Sequence, residues 1–596
     1  MFQSFEVVGS PQHGAARLAA LRAEMATAGC DAFLVPRADA HQGEYVADCD
    51  ARLAWLTGFT GSAGSCVVLK DRAGVFIDGR YRVQVRDQVD LSVYTPVPWP
   101  ETKLGAWIAE HLDGGAVGYD AWLHTRAEVT ALRKALAPRG IALQPVENLV
   151  DRIWDDRPAP PAGRAWHHPE HLAGRSAGEK RTEIAGALRD AGQRAAVLSL
   201  PDSICWLLNI RGADIPRIPI LQSFAIVFAD GRVTLFTDPR KCADLDLGPE
   251  VSVAPPEAFL PALATLGGPV RVDPKTAPEI VFATLDAAGV AIAEADDPCL
   301  IPKACKTGAE LDGARAAHLR DAVAMCRLLA WLDTTPPDTL TEIDVVRSLE
   351  EFRRETNALR DISFETIAGA GPNAAIVHYR VSEATNRALA PGELLLVDSG
   401  GQYEDGTTDI TRTIALGDVG PDRAEAFTRV LKGMIAISRA RFPKGLAGRD
   451  LDALARMALW EAGQDYDHGT GHGVGSYLSV HEGPQRLART GEVALRPGMI
   501  LSNEPGYYRD GSFGIRIENL VAVAEAPALP GGDDRAMLCF ETLTWVPIDR
   551  RLIVPDMLSD VERDWIDGYH HTVRDRIGPL LSDDSRAWLD RATAPL

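Results

Sequence analysis

Leu394-Leu395-Leu396-Val397-Asp398-Ser399-Gly400-Gly401-Gln402-Tyr403-Glu404-Asp405-Gly406-Thr407-Thr408-Asp409-Ile410-Thr411-Arg412-Thr413 is the stretch on which the fold turns. Four apolar residues ending at Asp398 predict a buried strand. Residues 402–406 carry a hairpin turn signal, and the β-branched alternation of 407–413 predicts the returning strand. A hairpin folded near residue 404 sets Asp398 and Asp409 close to opposite each other on adjacent strands. The pattern recurs downstream, where Glu504 and Glu518 flank Tyr508-Arg509-Asp510-Gly511-Ser512 with Gly511 midway between them. Between the two hairpins, His468-Gly469-Thr470-Gly471-His472-Gly473-Val474-Gly475 predicts a Gly-rich loop that carries two imidazoles close to backbone.

Four carboxylates gathered at one place stay ionised only if cations balance them. One divalent ion leaves a surplus of negative charge, whereas two ions about 3.5 to 4 Å apart, bridged by carboxylates, neutralise four acids. Asp398, Asp409, Glu504 and Glu518 with His472 form a hard, oxygen-rich donor set with one nitrogen. That chemistry favours manganese over a thiolate-type zinc site, while cobalt, iron and zinc remain able to bind. Taken singly, an Asp beside a DG turn is usually a turn acid and a His in a Gly-rich loop usually a surface residue; the joint pattern carries the argument. His378, in Ala375-Ile376-Val377-His378-Tyr379-Arg380, falls in a strand-like segment, and His481 follows the Gly-rich stretch. Local sequence alone makes both of them satisfied core histidines.

Around the hairpins the periodicity is helical. A helix is predicted over 309–332 and another from Thr341, with Asp344 as its capping-box acid. Between the hairpins, Phe427, Val430, Leu431, Met434 and Ile437 mark one amphipathic helix. Leu451, Leu454, Ala458 and Leu459, capped by Asp450 and stopped at Gly463, mark the next. Helix pairs alternating with antiparallel hairpins predict an α+β domain whose curved sheet holds the acids on its inner face.

The first half of the chain reads as α/β, twice over. A helix with Leu18, Leu21, Met25 and Ala28 precedes strands at 32–35, 65–69 and 74–77, which end in Asp78-Gly79-Arg80-Tyr81. After the Pro-rich linker 157–161, a helix around 178–192 precedes strands at 195–200, 224–229 and 233–238, with 203–212 resembling 54–61. This order predicts a diverged duplication. The expected domains are 1–156, 157–303 and 304–596, within the two to four that 596 residues suggest.

Composition narrows the function classes. The apolar fraction of 46% and charged fraction of 24% are those of an ordinary soluble protein. A net charge of −21, from 62 basic and 83 acidic residues, argues against nucleic acid or an anionic membrane as the main partner. Nine cysteines scattered without a CxxC pair argue against a disulfide framework or a thiolate zinc site and fit a reducing cytoplasm. The amino-terminal residues lack a basic segment followed by an apolar core, so no signal peptide is expected. No apolar run approaches about 18 residues, so no transmembrane helix is expected.

The ligand order Asp, Asp, His, Glu, Glu resembles that of the pita-bread metallopeptidases, the group holding methionine aminopeptidase, prolidase and aminopeptidase P. It is carried by Val397-Asp398-Ser399-Gly400, Thr408-Asp409-Ile410-Thr411-Arg412, His468 to Val474, Asn503-Glu504-Pro505-Gly506 and Gly514-Ile515-Arg516-Ile517-Glu518-Asn519. Residues 39–45, 78–81, 206–212 and 540–548 extend the likeness along the chain, toward the long, three-domain cytosolic form of Xaa-Pro aminopeptidase. The resemblance implies two creatinase-like α/β domains before a pita-bread catalytic domain, a homodimer, and two metal ions, most readily Mn2+. It implies that Asp398 and Asp409 bind one metal and Asp409, His472, Glu504 and Glu518 the other, with Asp409 and Glu518 bridging. A hydroxide between the metals would attack the peptide bond before proline, with Glu504 as general base. His378 and His481 would hold the substrate and the developing oxyanion. His468 would lie beside them as proton shuttle or pocket wall, and Arg516 would steady the acids and face the substrate. Arg80 would reach the peptide from the first domain; a plain salt bridge is its other reading.

The implied partner is therefore a peptide with proline in second position. Two other readings stand beside it: a prolidase that cuts only Xaa-Pro dipeptides, which the three-domain length disfavours, and a non-catalytic pita-bread module that binds peptides, which the full ligand set disfavours.

Overall fold

The computed structural model describes every residue except Val8. The chain divides into two compact units, one formed by Val8–Glu170 with Arg175–Leu300, the other by Met1–Val7, His171–Gly174 and Ile301–Leu596.

The first of these holds two six-stranded sheets. One runs in the order Thr95–Pro98, Ala73–Ile77, Ser65–Leu69, Ala32–Pro36, Gly115–Tyr119, Ile141–Pro145; the other Val251–Ala254, Val233–Phe236, Phe224–Phe228, Ala195–Leu198, Val270–Val272, Ile292–Glu294. In each, the strand that leads the repeat lies third from one edge and pairs antiparallel with the hairpin strand beside it and parallel with the strand on its other side. Order and direction thus repeat, as the duplicated sequence pattern predicts. Helix Gly14–Thr27 buries Leu18, Leu21 and Met25 and ends before Gly29, whose φ of +69° reverses the chain. Residues 157–161 form no regular element, in keeping with a linker.

The other unit is α+β. A three-stranded antiparallel sheet has Glu393–Ser399 at its centre, between Ile367–Ala370 and Ile410–Leu416. A six-stranded sheet runs Arg441–Pro443, Met537–Thr542, Asn519–Glu525, Ile500–Asn503, Gly471–Gly473, Glu482–Leu487. Leu394–Val397 are at most 1% exposed, so the apolar run is the buried strand its composition demands. Outside the sheets lie Gly308–Thr334, Glu342–Arg354, Pro421–Ser438 and Asp452–Trp460. Thr341 and Asp344 close a capping box as predicted, and Phe427, Val430, Leu431, Met434 and Ile437 are all buried.

The fourth helix departs from expectation. It begins at Asp452, because the Asp450 carboxylate accepts the Ala447 N–H, 2.8 Å, and closes the preceding 3-10 turn instead. Leu454 is 41% exposed and Ala455 takes the core position. The amino-terminal residues join this unit: the Phe2 N–H donates to Glu350, 2.8 Å, and Phe5 lies in the core with Met325 and Val346.

Candidate metal centre

One register sets the first pair of acids. Gln402 faces Thr407 and Tyr403 faces Gly406 across the turn at 404–405, and the same register continues through Ser399 opposite Ile410 and Asp398 opposite Thr411. Asp409 therefore falls opposite Gly400, two residues along from Asp398 on the same face, a diagonal pair. The second pair stands at a break between two ladders. Asn503 faces Asn519 in the six-stranded sheet and Gly506 faces Arg516 in the hairpin Gly506–Arg509/Phe513–Arg516. That shared register leaves Glu504 facing Glu518, with Gly511 at the tip in the left-handed region, φ +67°.

His472 corrects the sequence reading: it lies on a short strand, Gly471–Gly473, with Arg486 opposite, and not on a loop. Glycines flank it because neighbouring backbone crowds in; a Cβ on Gly471 would lie 1.9 Å from the Ser502 carbonyl oxygen. The His472 Nδ1 lies 2.9 Å from the Gly473 carbonyl, a contact that holds a proton on Nδ1 and turns Nε2 toward the acids. Nε2 stands 3.4 Å from Asp409 and 3.5 Å from Glu504. Three donor triplets result: Asp398, Asp409 and Glu518; His472, Glu504 and Glu518; Asp409, His472 and His481, each with its ligand atoms within 4.8 Å of one another. Glu518 joins the two acidic triplets. His481 comes to the site as well, its ring edge-on to His472 at 4.3 Å.

The chemistry of the donors fits two divalent cations. Asp398 Oδ1, Asp409 Oδ1 and Glu518 Oε1 are buried carboxylate oxygens without a hydrogen-bond donor, a costly state that cations relieve. Burial, with Asp409 and Glu504 nearby, pushes Asp398 up to about 6 against the pull of Arg516. Burial and the three neighbouring acids push Glu518 well above the carboxylate range, and burial raises Glu504. Burial disfavours the imidazolium of His472, yet Asp409 and Glu504 raise it to about 9. Charge of this density calls for cations in place of protons.

Second partners fix these donors. Thr411 Oγ1 donates to Glu518, 2.8 Å; Ser502 Oγ donates to Glu504, 3.0 Å, and accepts the His472 N–H, 2.9 Å. Arg516, 1% exposed, donates to Asp398, to the Tyr508 hydroxyl and to Thr411.

Residues 312–525 match metallopeptidase family M24 and 536–596 match the C-terminal region of that family, while 17–153 and 156–310 each match a creatinase/prolidase N-terminal domain. Aminopeptidase P2 of Arabidopsis thaliana is 39% identical over 95% of this chain and 86% of its own length. The chain belongs to the aminopeptidase P group of the M24 metallopeptidases. An X-prolyl aminopeptidase from Caenorhabditis elegans, described as a cytosolic enzyme with a di-nuclear active site, superposes with a TM-score of 0.92 at 32% identity, covering 98% of this chain and 100% of that one. A Xaa-Pro dipeptidase from Bacillus anthracis, 25% identical with a TM-score of 0.51, covers 63% of this chain and 99% of its own.

Within this M24 unit the remaining candidates separate. His468 Nε2 lies 2.9 Å from the Tyr508 hydroxyl, which the Arg516 guanidinium also reaches. Arg516, read from sequence as facing the substrate too, directs its donors into the cluster. His378 lies outside the donor triplets, in a turn following the 3-10 segment Gly371–Ala375 and not in a strand; Pro372 favours that turn over a strand. Arg80, in the other unit, forms a two-point salt bridge with Asp78, 3.0 and 2.7 Å, in its own turn. Tyr508, Ser502 and Thr411 went unassigned as site residues in the sequence, since a tyrosine, serine or threonine on a strand carries no local mark of the long-range partner it will meet.

Proposed function

We propose that the protein is a metalloaminopeptidase that hydrolyses the N-terminal Xaa-Pro bond of peptides. The observation that carries this reading is the pair of acidic donor triplets joined by Glu518, with three buried carboxylate oxygens lacking donors. Asp398, Asp409 and Glu518 would hold one cation and His472, Glu504 and Glu518 the other, with Asp409 shared between them. Two divalent ions held there, manganese foremost, would supply Lewis acidity and lower the pKa of a bound water. The Glu504 carboxylate, oriented by Ser502, would serve as general base toward the attacking water. His481, against His472, faces the scissile carbonyl, with His378 as its partner on the substrate side. His468 receives or returns protons at Nε2 through its contact with Tyr508. Arg516 keeps Asp398 ionised and in place. Arg80 would meet the peptide beyond proline with its Nε and Nη2 held by Asp78.

Selectivity for proline rests on shape: an imide has no N–H and its ring fixes φ. The same reading brings domain boundaries at 156/157 and 303/304, a homodimer and a cytoplasmic location; no helix among the described residues is long and apolar enough to cross a membrane. Similarity along 98% of the chain to an aminopeptidase, against 63% to a dipeptidase, favours peptides over Xaa-Pro dipeptides as substrates. Turnover of Xaa-Pro-Yaa, Xaa-Ala-Yaa and Xaa-Pro, with manganese and with a chelator, tests all of this. Fast, chelator-sensitive cleavage of Xaa-Pro-Yaa alone is expected. Equal cleavage of Xaa-Ala-Yaa would mean a general aminopeptidase, cleavage of Xaa-Pro alone a prolidase, and no cleavage with manganese bound a binding module.

A further inference from the structure

Two lysines at the start of the catalytic unit converge on one glutamate. Lys303 Nζ lies 3.0 Å from Glu482 Oε2, and Lys306 Nζ bonds Glu482 Oε1 while donating to the Lys303 carbonyl, 3.0 Å. The two lysine side chains are 1% exposed and that of Glu482 is fully buried. A buried ion pair adds little net stability, and apolar residues of the same volume often replace it without loss. The convergence of two lysines on this carboxylate therefore asks for an explanation other than stability.

The position of Glu482 supplies one. It opens the strand Glu482–Leu487 directly after His481, and its backbone faces Gly473, the residue after His472. Its carboxylate lies under the 474–481 loop, where a Cβ on Gly475 would stand 3.1 Å from Oε2. Gln402 Nε2 ties the same loop through the Leu478 carbonyl, 2.8 Å. The lysine segment also reaches the second acid hairpin: the Lys306 N–H donates to Gly498, 2.9 Å, and Cys305 bridges to Met499, just before the strand Ile500–Asn503 that leads to Glu504.

We propose that Lys303, Lys306 and Glu482 are positioning residues that hold His481 against His472, so that the segment upstream of the metallopeptidase match sets the geometry of the substrate-side histidine. The clamp rests on the function proposed above, in which His481 meets the scissile carbonyl. A buried glutamate held from two sides is fixed in both directions, and the residue before it inherits that fixation.

Removing Glu482 alone leaves two buried ammonium groups facing each other, so the test uses the full chain with Lys303→Met, Lys306→Met and Glu482→Met together, and separately Lys306→Met, which keeps the Lys303–Glu482 pair and reports if the triple variant does not fold. Both variants should bind two manganese ions and melt near the parent. Their kcat/KM on Xaa-Pro-Yaa should fall, in the triple variant by about 10- to 100-fold, the scale of losing an outer partner. Adding His481→Ala should cost far less in the triple variant than in the parent, since coupled residues are not additive. Amide hydrogen exchange over 474–481 should quicken. Parent-like kcat/KM and exchange in stable variants, or full additivity with His481→Ala, would overturn the clamp. Should the parent itself cleave no Xaa-Pro bond, the proposed function falls, while the exchange measurement still decides whether the three residues hold the loop.

Discussion

The two acid hairpins reach one centre by different constructions. In the first, Asp398 stands on the ladder of Glu393–Ser399 with Ile410–Leu416, and Asp409 lies one residue beyond its end, diagonal to Asp398. In the second, Glu504 and Glu518 face each other where one ladder ends and another begins. The short aspartates take charged neighbours, Arg516 for Asp398 and His472 for Asp409. Each glutamate, with one more torsion to restrain, is held by a hydroxyl: Ser502 for Glu504 and Thr411 for Glu518. Each pair thus stands where one ladder gives way to the next, and a neighbouring side chain orients each carboxylate. Arg412 binds the two constructions together. It donates to the Glu518 carbonyl, to Asn519 and Tyr569, and to the carbonyls of Val546 and Pro547 in the C-terminal region.

The largest effect should come from the first hairpin. Asp409→Ala removes a donor common to two triplets, and elemental analysis should find both metals lost and turnover abolished; full metal content in this variant would break the pairing of the hairpins. Glu504→Gln keeps shape and one coordinating oxygen, so turnover should fall by about 10²-fold or more with much smaller changes in substrate binding. Near-normal turnover in the metal-loaded variant would take the base role from Glu504. Thr411→Val and Ser502→Ala probe the hydroxyl supports, and each should weaken metal affinity by about 10- to 100-fold, read by competition with a chelating dye. Unchanged affinity in both would mean that the second hairpin is fixed by its backbone and not by these hydroxyls.

The smallest effect concerns the brace behind the hairpins. His570 Nε2 accepts the Ile548 N–H, 3.1 Å, and burial, with Arg412 and Arg574 nearby, lowers its pKa from 6.5 to about 3. Between these values the unfolded chain binds the extra proton, so stability rises with pH and is lost as pH falls from about 6.5 toward 3. Melting curves should show a shallower acid loss for His570→Gln than for the parent, after allowing for the variant's lower stability at neutral pH. Parallel acid limbs would remove His570 from that dependence.

Periodicity and turn chemistry made much of this molecule legible. The acid pairing could be read because a two-residue turn at 404–405 and a glycine at 511 set register locally, and register then propagates along a ladder by hydrogen bonding. The capping box at Thr341, the buried face of the helix Pro421–Ser438 and the twice-used sheet order are likewise local or repeated signals. Reading failed where a residue's state depends on distant backbone. Gly471 and Gly473 look like loop residues, yet are glycines because Ser502 and Glu482 backbone press against them in a sheet. Asp450 looks like a helix cap, yet closes the turn before the helix.

By itself, then, the sequence determined which acids and which imidazole could meet, since spacing about a turn is a property of the chain alone. Tertiary structure decided what holds them: Arg516 on Asp398, the hydroxyls of Thr411 and Ser502 on the glutamates, Tyr508 on His468, and Lys303 with Lys306 on Glu482. Lys306 and Glu482 are 176 residues apart, and nothing in the spacing of a chain marks a contact of that range. Such contacts form because a buried charge must find a partner within the closed core, and only the packed fold fixes which partner lies within reach.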